Sequence, residues 1–453
     1  MEKVDLKNAP LKQLMLKLSI PSIMGMMVVS LNTIIDAFYI SHFENQEAFA
    51  AISILFPLTL IVNSVIVCIA AGGASLLSRS LGAKDMSIQK KILPNIKSIS
   101  LCCALVLFLI CQLFTEELVG FLGAKDMIAT YAGSYLKMYS IGFFFSVFGL
   151  SANGLIRAEG NIKQAMRYTV LSVVINVVCT PFFMVTLQLH IVGAALSSVL
   201  AMAVYAIATS IYFISSQLQF PSGNIFGFGI DKTIIWSILK IGFSASLLQL
   251  SNTVKHFFLF QALTTLGTVA DITLFSGVLR VFTFMAIPIL GFLQPLQPIV
   301  GVNYGAKNYE RVKKAFILFR RGGIFFAVIL LIPVLFFTDW ILKTVVNQII
   351  PDMETLWKVR AVFLVLLILP IGSSAVILFQ SLGKAKEASI LPLLRPVVLF
   401  LPLLWVCEYF YGLDGLYYVL IIENVLYAMV AWILTQSVKS KVKVEIPVQS
   451  KIA

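Results

Sequence analysis

The sequence predicts an all-α polytopic membrane protein, with twelve transmembrane helices in two pseudo-symmetric six-helix lobes. Three observations predict it. Hydrophobic residues make up 59% of the 453 residues and charged residues 12%, against roughly 45–50% and about 25% in soluble proteins, so lipid is the solvent that suits this chain. Twelve apolar stretches lie between polar loops, each near the roughly 20 residues that a span needs. The loops also repeat at a fixed interval of 223 residues. Gly82-Ala83-Lys84-Asp85 is answered by Gly305-Ala306-Lys307-Asn308, and Arg157-Ala158-Glu159-Gly160-Asn161-Ile162-Lys163 by Gln380-Ser381-Leu382-Gly383-Lys384-Ala385-Lys386.

In chain order the spans are roughly 15–41, 50–77, 95–114, 129–153, 168–187 and 191–214, then 235–262, 271–299, 315–337, 360–381, 390–409 and 414–436. The first lobe is 1–214. A cytoplasmic linker follows at 215–232, marked by Pro221, Gly223, Gly227 and Gly229. The second lobe is 233–437 and the cytoplasmic tail 438–453. Met1–Gln13 is polar and the apolar run after it carries Pro21 and Asp36, which does not read as a cleavable signal. The six cysteines (Cys68, Cys102, Cys103, Cys111, Cys179 and Cys407) sit in or beside apolar stretches with no metal-ligand spacing, so they read as packing residues.

Orientation follows from the basic residues. With the N-terminus in the cytoplasm, the inner segments hold 27 of the 34 Lys and Arg, among them Lys384, Lys386 and Arg395. The outer segments hold five: Lys125, Lys137, Lys343, Lys358 and Arg360. That asymmetry places both termini inside. It also accounts for the net charge of +13 through an anionic inner leaflet, without nucleic acid.

Matched membrane halves are the architecture of secondary transporters, where substrate passes between the halves. The glycines of the repeated loops let the chain turn sharply and let backbones approach closely. Prolines free carbonyls within spans. Pro288, Pro295 and Pro298 make span 8, and Pro392, Pro396 and Pro402 span 11, the most broken. The 35 Phe and 14 Met suit lipid-facing surface, and a cavity that repacks around varied apolar ligands.

Charges inside spans are retained for a reason, since one at the bilayer centre costs at least ~2.5–3.5 kcal/mol. Asp36 lies late in span 1, roughly 7 Å from its outer end at about 1.5 Å per residue, with Asn32 one turn earlier on the same face. Thr180 of span 5 and Ser198 of span 6 count to about 10 Å deep, and Asn176 of span 5 to about 16 Å. An acid with amide and hydroxyl oxygens suits a monovalent cation such as Na⁺, or, once desolvated, a proton.

The motifs resemble the multidrug and toxic compound extrusion (MATE) family, bacterial type and DinF-like branch, over nearly the whole chain. The resemblance rests on Ser78-Arg79-Ser80-Leu81-Gly82-Ala83-Lys84-Asp85, Arg157-Ala158-Glu159-Gly160-Asn161, and Asn176 followed by Thr180-Pro181. Gly193-Ala194-Ala195-Leu196-Ser197-Ser198 and Gly301-Val302-Asn303-Tyr304-Gly305-Ala306-Lys307-Asn308 extend it. It implies two lobes forming a V-shaped central cavity, in an antiporter of the bacterial cytoplasmic membrane that exports amphipathic organic compounds by alternating access. H⁺ or Na⁺ returns through Asp36, Asn176 and a span 6 hydroxyl. Many relatives carry a second Asp just before the span 5 Pro, where this chain has Thr180, and the lost charge tilts the expectation toward H⁺.

In the second lobe, Lys255, Arg280 and Glu423 count to one depth, roughly 12–14 Å from the outer ends. Two readings follow. In one, an internal ion cluster pairs Glu423 with the cations, because unpaired buried ions are prohibitive. In the other, Lys255 or Arg280 faces a substrate cavity together with Gln249, Asn153 and His256. The scattered histidines show no metal spacing. The rival within the superfamily is a lipid-linked precursor flippase, which calls for a basic cavity in both lobes, whereas the first-lobe spans hold an acid. No nucleophile–base pair or phosphate loop supports an enzyme. The expected partners are a small organic substrate and the bilayer, with the chain a monomer and without a cofactor beyond the coupling ion.

Overall fold

The computed structural model describes residues 4–214, 218, 220–221, 227–346 and 352–444. Half of the linker 215–232, including Gly223, and the tail from 445 onward lie outside the described residues. Among the described residues there are helices and no strands.

Ten helical runs are long and apolar enough to cross a membrane, and a pair bent by 50° makes an eleventh. The first six crossings are α1 (Leu11–Phe43), α2 (Gln46–Ala83), α3 (Met86–Leu113), α4 (Asp126–Ile141 with Phe143–Ala158, the bent pair), α5 (Ile162–Thr186) and α6 (His190–Ile214). The second six begin with α7 (Lys232–Leu266), α8 (Val269–Gly305), α9 (Tyr309–Phe336) and α10 (Met353–Ser381). The run Ala385–Gln436 has 52 residues, about 78 Å if straight, over twice a hydrocarbon core of about 30 Å. It folds back at Gly412, whose φ is 54°, and the arms pack on each other. Those arms are α11 (Ala385–Leu394, Arg395–Phe400 and Leu401–Tyr411) and α12 (Gly415–Val444), which completes twelve crossings.

Three of the breaks fall at prolines, whereas the bend in α4 falls at Gly142. α8 is interrupted between Leu293 and Leu296, around Pro295. α11 carries a π-helical turn at Arg395–Phe400, and α5 ends in another at Phe182–Thr186, directly after Pro181. Arg395 is therefore not a loop residue. Pro396 removes a backbone donor there, and the wider turn carries the helix through the break.

The repeated loops do the same three jobs in each half. Lys84 and Lys307 end their helices in the left-handed region, with φ of 57° and 58°. Asp85 then accepts from the amides of Ser87 and Ile88 to cap α3, and Asn308 accepts from the amide of Arg311 to cap α9, which satisfies helix-start donors that would otherwise be orphaned. The glycines pack helix on helix. A Cβ at Gly82 would lie 1.9 Å from the Val302 carbonyl, and one at Gly305 2.0 Å from that of Arg79. Gly160 and Gly383 also share a positive φ, 91° and 73°.

Three apolar cores result. One belongs to the first half, around Leu77, Ile96 and Phe143, and one to the second, around Phe275, Val359 and Leu416. The third joins them: Leu14, Leu18 and Ile162 pack with Leu293, Phe316 and Phe379. Inter-half hydrogen bonds run from Asn303 Nδ2 on the Leu6 carbonyl (3.1 Å) through Ser22 Oγ on Gln294 (2.8 Å) to Ser246 Oγ on the Ser64 carbonyl (2.7 Å). The halves are thus joined from the face with the basic repeated loops to the middle of α2 and α7.

Candidate functional site

Two polar sites occupy the membrane interior, one in each half. In the first half, a cavity of about 430 Å³ is lined by Thr33, Asp36 and Ile40 of α1, Phe49 and Phe56 of α2, Tyr135 of α4, Thr180 of α5 and Ser198 of α6. Asp36 is half-buried, and its Oδ2 accepts from Asn32 Nδ2 at 3.0 Å. Among the described residues no Lys, Arg or His pairs with it. Thr180 donates to the Asn176 carbonyl one turn back (2.7 Å) and shares a hydrogen with Ser197 Oγ at 2.8 Å. Asn176 Nδ2 reaches Ser197 and Ser198 at 3.5 and 3.4 Å. That leaves the Oδ1 atoms of Asn32 and Asn176 buried without a donor.

The structure therefore brings Asp36, Thr180 and Ser198 to one cavity, with Asn32 and Asn176 bonded to its wall. A carboxylate, a hydroxyl pair and two unused amide oxygens form a donor set of hard oxygens. It fits a proton or a small monovalent cation. Tyr135 and Ser197 escaped the sequence reading. Tyr135 stacks on Tyr139 with ring centres 5.4 Å apart, and its signal was the Tyr131-Tyr135-Tyr139 repeat at helical spacing.

In the second half, Glu423 of α12 is wholly buried. It accepts from Lys255 Nζ at 2.8 Å and from Arg395 Nε at 2.6 Å. Asn424 Nδ2 donates to the same carboxylate at 2.8 Å, and Arg395 donates to Asn424 Oδ1 at 2.8 Å. Lys255, His256, Arg395, Asn424 and Asn252 line a cavity of about 180 Å³ whose other walls include Leu279, Phe282, Val365 and Leu420.

Three sequence expectations are corrected here. Arg280 is not in the ion cluster; it is exposed on α8, and Arg395 holds the place expected for it. Each residue turns a helix by about 100°, so equal depth does not give an equal face. Leu279 lines the cavity and its neighbour Arg280 does not. Asn153 is no cavity residue either. Buried between α4 and α5, it donates to the Ala165 carbonyl (3.3 Å) and accepts from Arg157 Nε (3.0 Å). Gln249 is half-buried on α7, outside both linings.

A membrane-embedded bundle of two joined halves, with a polar site inside each, has the architecture of a polytopic membrane transporter. Residues 21–182 and 249–406, one stretch in each half, match the MatE family, and the chain belongs to that family. An FAD transporter of Shewanella oneidensis is 26% identical, covering 98% of both chains. The multidrug export protein MepA of Staphylococcus aureus is 24% identical over 97% of this chain and 96% of its own. A crystal structure of a MATE protein in its bent conformation superposes with a TM-score of 0.90 at 24% identity, covering 98% of each.

Proposed function

We propose that the protein is a proton-coupled antiporter that exports amphipathic organic compounds across the bacterial cytoplasmic membrane, as a monomer with both termini inside. The observation that carries this reading is Asp36: a carboxylate bonded only by an amide, with no basic partner among the described residues, on the wall of a roomy cavity. Such a group changes charge when it takes a proton, and that change is felt strongly wherever water is scarce and the dielectric low. The charge change is what can bias two conformations against each other. Ile40, Phe49, Ile52 and Phe56 on the walls of the same cavity offer apolar contact to an amphipathic cargo. MepA, by its name a multidrug exporter, supports the cargo class.

The test uses protein reconstituted in sealed vesicles with an imposed pH gradient and a fluorescent cationic dye. Wild type should accumulate dye only with the gradient. Asp36→Asn should insert and melt normally yet lose gradient-driven transport. Retention of wild-type rates by Asp36→Asn would overturn the reading.

A further inference from the structure

The second-half cluster is not charge-balanced. Lys255 and Arg395 bring two positive charges and Glu423 one negative charge, and among the described residues no second carboxylate pairs with either cation. Glu423 is saturated, since it accepts from Lys255, Arg395 and Asn424. The cations are not. Lys255 Nζ makes this one hydrogen bond and otherwise lies 5.7 Å from the centre of the Phe400 ring. The Arg395 guanidinium lies 4.8 Å from the centre of the Tyr427 ring, and its Nη1 makes a long 3.5 Å contact with Asn252 Oδ1. A buried charge without a counter-charge is unfavourable, and here it borders an apolar cavity of about 180 Å³. A group that brought one negative charge and acceptor oxygens would satisfy both deficits. Lined by Leu279, Phe282, Val365 and Leu420, the cavity would shelter an apolar body beside that group.

We propose that this cavity binds an amphiphile by an oxyanion head, carboxylate or phosphate, which Lys255 and Arg395 hold while its apolar body packs on α8, α10 and α12. The site is separate from Asp36, so it stands or falls independently of proton coupling.

The experiment measures equilibrium binding to purified wild-type protein in neutral detergent. The probes are 1-naphthoate, 1-naphthyl phosphate, the isosteric neutral 1-naphthamide, and inorganic phosphate. One or both naphthyl anions should bind at least about tenfold more tightly than the amide, and whichever binds better identifies carboxylate or phosphate as the preferred head. Inorganic phosphate alone should compete poorly. Lys255→Met leaves Arg395 and Glu423 as a balanced pair, so it should keep its melting temperature and lose the preference for anions. Lys255→Arg should keep that preference, and Asp36→Asn should bind like wild type. Equal affinity for anion and amide in wild type would overturn the proposal, as would an anion preference that survives Lys255→Met. Displacement of naphthoate by inorganic phosphate at matched concentration would also overturn it, because the apolar body would then play no part.

Discussion

Gly82 and Gly305 cross reciprocally at the junction of the two halves. Gly82 meets the backbone of Val302 and Ala306, and Gly305 meets that of Arg79 and Ala83. Each motif is the other's packing surface. Gly72 on Ile238 and Gly242 on Cys68 repeat the relationship deeper in the bundle, with a Cβ 2.0 and 1.9 Å from the opposing carbonyl. Side chains there would force the backbones of the two halves apart.

Gly82→Ala and Gly305→Ala should therefore each destabilise the protein by about 1–3 kcal/mol, the usual range for overpacking. Melting of the purified protein in detergent reads this out. Gly120→Ala is the control, because nothing lies within 4 Å of its Cβ position. Equal melting temperatures for Gly82→Ala and Gly120→Ala would show that the junction is looser than the glycine contacts imply.

Backbone conformation at the same loops supplies a second prediction. Lys84 and Lys307 are exposed and hold φ near 57°, a region that disfavours a residue with a Cβ by roughly 1–2 kcal/mol. Lys84→Gly and Lys307→Gly should raise stability, by less than that because glycine also frees the unfolded chain. The β-branched Lys84→Val should lower it. Melting curves for the three variants check the order.

Much of this was legible in the sequence, because the repeat, the apolar lengths and the small loop residues each have one physical meaning in lipid. The Lys-Asp and Lys-Asn ends of the motifs carried more than was read from them: helix stop and helix cap are encoded there together. The second-half cluster was half legible. Lys255 and Glu423 meet, as depth alone suggests, but Arg395, near the inner end of span 11, falls in the count of inner basic residues instead of among the buried charges. Counting at a uniform rise assumes an unbroken helix, and Pro392 and Pro396 break α11 around it. Arg280 was misplaced for the complementary reason, that depth says nothing about azimuth.

The corrected cluster changes which double mutant is informative. Glu423→Gln leaves Lys255 and Arg395 buried without a counter-charge and should cost about 3–5 kcal/mol. Adding Lys255→Met to Glu423→Gln should recover part of that loss, whereas adding Arg280→Met should recover none, because Arg280 lies outside the cluster. The coupling energies come from thermal or denaturant melts of the single and double mutants. Recovery by Arg280→Met equal to that by Lys255→Met would mean that the two cations share one partner after all.

The last prediction concerns ion choice in the first half. Thr180 lines the Asp36 cavity, with its hydroxyl held by the Asn176 carbonyl and Ser197. One carboxylate neutralises either ion, but a proton needs only a single Asp36 oxygen, whereas a bound cation needs a shell of oxygen ligands. The hydroxyls of Thr180 and Ser197 are tied to each other and to the Asn176 and Ala194 carbonyls, so gathering that shell would cost bonds already made. Thr180→Asp adds a second carboxylate beside the unused amide oxygen of Asn176, which supplies both charge and ligands. In sealed vesicles wild type should follow the pH gradient and ignore an Na⁺ gradient, and Thr180→Asp should acquire Na⁺-driven transport. Wild type driven fully by Na⁺ alone, with Thr180→Asp unchanged from it, would show that carboxylate count does not select the ion at this site.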